Sequence, residues 1–75
     1  MARPLSPSND DWLRQIFSAK AAQTGGVVRR ARADVIRKIG LHRFELEVRR
    51  RGFHLVEASD QFIIICRPGP IRVLV

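Results

Sequence analysis

Residues 62–66 read Phe-Ile-Ile-Ile-Cys, and this run limits the fold more than any other part of the chain. Five consecutive apolar residues are too few for a core helix of ordinary length and far too few for a membrane span. As a strand, the run is apolar on both faces, which makes it the central strand of its sheet, with helices expected to cover one face of that sheet. The surrounding sequence supplies neighbours. Phe53–Glu57 reads as a strand and Ala58-Ser59-Asp60-Gln61 as a turn. Phe62–Arg67 is the second strand, and Pro68-Gly69 fits the centre of a type II turn. Ile71, Val73 and Val75 then alternate with Arg72 in a last strand. The C-terminal third is therefore expected to be a three-stranded antiparallel meander.

The cover comes from upstream. Asp10 and Asp11 suit the positive end of a helix capped by Ser8 or Asn9. Trp12, Leu13, Ile16, Phe17 and Lys20 follow at helical spacing, Asp10 and Arg14 form an i,i+4 pair, and Thr24-Gly25-Gly26 ends the helix. Val27 and Val28 open either a short strand or the next helix. From Val28 to Ile39 the pattern is helical, with Val28, Ala31, Val35, Ile36 and Ile39 on one face, Asp34 able to pair with Arg30 or Lys38, and Gly40 as the stop. Residues 41–52 fit two periods. As a strand, Phe44, Leu46 and Val48 alternate with Glu45, Glu47 and Arg49. As a helix, Leu41, Phe44 and Val48 share a side, Leu46 falls off it, and Glu45–Arg49 and Glu47–Arg51 pair. Arg50 and Arg51 would then complement the dipole, and Gly52 takes the C′ position. The cap, dipole and pairs favour helix. The expected class is α+β: two to three N-terminal helices on a small C-terminal antiparallel sheet, with residues 1–7 a flexible arm and residues 8–75 a single domain.

A chain of 75 residues buries only about 60% of its unfolded surface. One cysteine cannot form an internal disulfide, and one cysteine with two histidines is too little for a closed zinc site. Support from a second copy, a homodimer, is expected, with the open edge of the Ile71–Val75 strand as the contact. The N-terminus holds no apolar stretch of signal-peptide length, and the lone cysteine suits a reducing, cytoplasmic compartment.

Charge is the functional signal. Of the net +7, a surplus of six lies in residues 29–52, where nine bases face Asp34, Glu45 and Glu47. The bases are Arg29, Arg30, Arg32, Arg37, Lys38, Arg43, Arg49, Arg50 and Arg51. Eight of the nine are arginine, whose planar fork matches phosphate geometry. These nine are the candidate nucleic-acid-binding residues, with DNA favoured over RNA. The alternative partner is an acidic protein surface. Serines lack a nucleophile-elbow context, Gly25-Gly26 lacks a phosphate-loop pattern, and His42, His54 and Cys66 have no catalytic neighbours in sequence. No enzyme activity, cofactor, metal or membrane is expected.

The segment RADVIRKIGLHRFELEVRR, residues 32–50, resembles a helix-turn-helix. Gly40 stands as the turn glycine and Val35, Ile39, Leu41 and Leu46 as apolar positions. The hairpin of residues 53–67 would be the wing of a winged-helix domain, and the resemblance implies DNA binding. Ile36 stands where that family prefers a small residue, and a bulky side chain between the helices would push them apart. Arg49 stands where an apolar residue is common. The chain as a whole also looks like short bacterial proteins labelled phosphoribosylanthranilate isomerase. That label implies a (β/α)₈ barrel of about 250 residues, which this length cannot build.

Overall fold

The computed structural model describes residues 9–75; the expected arm and the Ser8 cap lie outside them. Two helices, α1 (Asn9–Ser18) and α2 (Lys20–Gln23), lead into strand β1 (Val27–Ala31). Helices α3 (Arg32–Lys38) and α4 (Leu41–Arg50) follow, then strands β2 (His54–Ala58) and β3 (Gln61–Ile65). The three strands form one antiparallel sheet in the order β1-β3-β2. The α+β class and the central position of the Phe-Ile-Ile-Ile run are as expected.

The third strand is not. Ile71–Val75 carries no secondary structure, and the place beside β3 is taken by β1, with Val28 opposite Ile64 and Arg30 opposite Phe62. Two forces decide this. Pro68 and Pro70 remove backbone donors just where a returning strand would start. Val27 and Val28, β-branched and preceded by Gly25 at φ 78°, fit a pleated surface better than a helix. The expected helix of residues 28–39 therefore begins only at Arg32. Its first residue is tied to the hairpin turn by Arg32 N–H donating to the Asp60 carbonyl at 2.8 Å.

The first helix is also shorter than its pattern. It breaks at Ala19, which is extended at φ −60°, ψ 150°. The Gln23 side-chain amide donates to the Phe17 carbonyl at 2.8 Å and so covers the broken end. Helix α4 settles the ambiguous segment. It ends in a Schellman motif: Phe53 N–H donates to Val48 O at 3.2 Å and Gly52 N–H to Arg49 O at 2.9 Å, with Gly52 at φ 74°.

The helices pack on one sheet face. Leu13, Ile16, Phe17, Val35, Phe44 and Val48 meet Val28, Phe62, Ile64 and Cys66 in a single core. Phe44 and Phe62 lie with ring centroids 5.8 Å apart. Ile36 does not separate α3 from α4, because it is 40% exposed and Val35 faces inward instead. Gly40 joins the two helices at φ 91°, ψ 145°, a region open essentially to glycine alone. A Cβ there would meet no atom within 4 Å, so Gly40→Ala is a test of backbone strain without a clash. It is expected to lower stability by about 1–3 kcal/mol, read from chemical denaturation with an unchanged m-value.

Candidate nucleic-acid interface

Phe44 and Val48 are fully buried and hold one side of α4 against the core. The helical repeat then fixes what faces solvent. His42, Arg43, Leu46, Arg49 and Arg50 are all exposed and lie on the side away from Phe44 and Val48. Leu46 sits at the middle of that side, 40% exposed, with the basic residues around it. An exposed apolar residue ringed by arginines and a histidine can contact a base edge while its neighbours take phosphates. Helical periodicity in the sequence places Leu46 off the packed face, and the same periodicity puts it at the centre of the opposite one.

The nine candidate bases do not form one continuous helical face. Arg29 and Arg30 stand on β1, where successive side chains point to opposite sides of the sheet. Arg32 opens α3 and bonds Glu57 of β2, Nε to Oε2 at 2.5 Å. Arg37 pairs with Asp34 at 2.8 Å, which replaces the expected partners Arg30 and Lys38. Lys38 places its Nζ 5.7 Å from the centre of the Trp12 ring. Arg43, Arg49 and Arg50 are brought together on α4. Arg43 is paired with Asp10 of α1, whose expected partner Arg14 bonds Asp11 instead. Asp10 raises the Arg43 pKa above its usual value by hydrogen bonding and by its charge.

Arg51 has a different task from its two neighbours. Its guanidinium carbon lies 3.8 Å from the centre of the Phe17 ring, and Nη1 donates to Glu47 Oε1 at 2.9 Å and to the Glu47 carbonyl at 2.8 Å. Glu47 also accepts from Arg50 at 3.2 Å, while the expected Glu45–Arg49 pair does not form. Arg51 is thus the lid of the aromatic cluster of Phe17 and Phe53, and Arg49 and Arg50 are left facing water. Counting acids within residues 29–52 alone left six bases without partners. The fold supplies Asp10 and Glu57 from outside that stretch, so five of the nine bases have ion-pair partners.

Glu47 is the hub of this corner. The hydrogen bond from Arg51 holds its carboxyl below the usual range, with the charges of Arg50, Arg51 and Arg43 acting in the same direction. A depressed folded-state pKa gives stability that is present above the unfolded pKa and lost as pH falls through the folded one. Glu47→Gln is expected to cost about 1 kcal/mol near neutral pH. It should also flatten the acid limb of the wild-type stability curve, measured by denaturation from pH 7 to below the normal carboxylate range.

Of the remaining chemistry-bearing residues, Cys66 lies in the core and His54 borders the Arg49 end of this face. Cys66 is buried, its pKa pushed up by burial. His54 donates from Nε2 to the Gly69 carbonyl at 2.5 Å. The described residues hold no cluster of three or more His, Cys, Asp or Glu able to bind a metal, and no described helix is long and apolar enough to cross a membrane. A cleft of about 250 Å³ lies between α4 and the start of β2, lined by Glu45, Val48, Arg49, Phe53, His54 and Leu55. No protein-family model matches this chain, and no curated protein or solved structure matches it either.

Proposed function

We propose that this protein is a non-catalytic, DNA-binding regulatory domain of the winged helix-turn-helix kind, with α4 as the helix that enters the major groove. The observation that carries the reading is the solvent face of α4, where Arg43, Arg49 and Arg50 surround Leu46 on a helix anchored by Phe44 and Val48. The element order supports it. A helix pair joined by Ile39-Gly40 precedes a hairpin, and an earlier strand, β1, completes the sheet. In helix-turn-helix domains the second helix reads bases and the first crosses the backbone. Here α3 brings Arg37 and Lys38 to its last turn, and these serve as phosphate contacts.

The hairpin plays a smaller part than the resemblance implies. Its turn, Ser59-Asp60, carries no base, and the one arginine beside it, Arg32, is engaged with Glu57, so the hairpin offers phosphates no free cation of its own. DNA is therefore contacted from the α4 side, without an arginine-bearing wing in the minor groove. The test is direct titration of duplex DNA, single-stranded DNA and RNA at 50 mM salt. Duplex binding lost on removing the α4 arginines supports the reading. If no nucleic acid binds, the basic face must serve a carboxylate-rich protein surface instead.

A further inference from the structure

Two opposite charges beside the start of β2 stand close and do not meet. Glu45 and Arg49 lie one turn apart on α4, a spacing at which a carboxylate and a guanidinium can pair along a helix. Comparable neighbours on the helices do pair: Asp11 with Arg14, Asp34 with Arg37, and Glu47 with Arg50 and Arg51. Among the described residues, neither Glu45 nor Arg49 has an ion-pair partner, and both line the cleft between α4 and β2. Phe44 and Val48 anchor the helix between them in the core, so the backbone positions of both charges are fixed.

The volume of about 250 Å³ is room for about eight waters at about 30 Å³ each, and so for a molecule of about eight to ten non-hydrogen atoms. The lining is more polar than apolar. Glu45 and Arg49 supply one charge of each sign. His54 adds a polar ring whose Nε2 is held by the Gly69 carbonyl, which leaves Nδ1 as its one remaining ring nitrogen. Val48, Phe53 and Leu55 form a smaller apolar floor, packed on the core. A simple anion would satisfy Arg49 and be repelled by Glu45, and a simple cation the reverse. A zwitterion complements both, and a short hydrocarbon chain covers the floor. A cleft of similar size between Ile65 and Ile71 has Arg67 as its only charged lining residue and lacks this pattern.

We infer that this cleft binds a free α-amino acid with an aliphatic side chain. The guanidinium of Arg49 donates to its carboxylate, its ammonium donates to the carboxylate of Glu45, and its side chain lies on Val48, Phe53 and Leu55. Hydrogen bonds between ionised groups are the stronger kind, and the pair of charges on one carbon matches the pair one turn apart on α4. Arg49 also belongs to the face proposed for DNA, but amino-acid binding to the free protein requires no nucleic acid.

Titration of the full chain with L-leucine, followed through its backbone amides by NMR, tests this. Saturable shifts are expected within residues 45–55, with a Kd of about 1 mM for a ligand of this size. Leucinamide, which lacks the carboxylate, and N-acetyl-leucine, which lacks the ammonium, should each bind about tenfold more weakly or worse. Glycine, which lacks the side chain, should bind more weakly as well. Glu45→Gln and Arg49→Gln change exposed side chains, so each should keep the helical circular dichroism and weaken leucine about tenfold or more. Arg72→Gln removes a charge outside the cleft and should leave leucine binding unchanged. Leucine shifts that do not saturate overturn the proposal; Glu45 and Arg49 then serve each other and not a ligand. Equal binding of leucine and both blocked analogues overturns it too, because the apolar floor alone would be acting. So does wild-type affinity in either Glu45→Gln or Arg49→Gln.

Discussion

Ile64→Asp is expected to abolish the cooperative fold. Ile64 has no exposed surface. It lies in the central strand, opposite Val28 on one side and Leu55 on the other, with its side chain toward the helices. A carboxylate there has no partner, since no buried polar or charged residue accompanies the described core. Burying an unpaired charge costs several kcal/mol. A domain of 75 residues has about 4–11 kcal/mol of stability in total. The penalty is of the same size as everything that holds the molecule together. Val56→Asp is the matched control: same sheet, same chemical change, but on the opposite face and already 37% exposed. It should shift stability by no more than about 1 kcal/mol. Circular dichroism melts separate the two. A cooperative Ile64→Asp melt at the wild-type temperature would show that β3 is not the centre of the core.

The same strand shows what the sequence could and could not reveal. Apolarity on both faces placed β3 in the middle, because no edge strand tolerates that pattern. It did not say which segments flank it. Ile71–Val75 has the better alternation, but Pro68 and Pro70 intervene, and the weaker Val27-Val28 takes the position. Local propensity lost to the demand of β3 for a second partner. The caps were more legible. The Gly52 ending of α4 was written in residues 47–53, because a Schellman motif is local and needs only a helix, a glycine and an apolar residue after it.

The candidate site was legible in composition and not in geometry. Residues 29–52 announced a basic surface, but sequence distance hid Asp10 and Glu57, which pair with Arg43 and Arg32 across the fold. It also made Arg49, Arg50 and Arg51 look like one group. Phe17, more than thirty residues earlier, draws Arg51 out of that group and onto its ring.

That division gives the functional reading its sharpest expected result. DNA binding should weaken about a thousandfold between 50 and 200 mM salt, a slope of log K on log salt near −5, if about six phosphates are neutralised. The ion pairs of Arg37, Arg43 and Arg50 do not prevent this. Their guanidiniums are well exposed, surface pairs are worth about 0–1 kcal/mol, and a phosphate can take the place of the carboxylate. Replacing Arg43, Arg49 and Arg50 together by glutamine removes three contacts and should flatten the slope by about two to three units. Replacing Arg14, Lys20 and Arg67 removes the same charge from elsewhere and should leave the slope nearly unchanged. Arg51→Gln should act differently from both. It should lower the melting temperature by loosening Phe17 and Glu47, with little effect on the salt slope. Leu46→Ala should leave the slope intact and reduce the preference for one duplex sequence over another, because an apolar contact to a base edge carries sequence information and no charge. Equal loss in the two triple variants would mean that net charge alone is acting, and the α4 face would have to be given up.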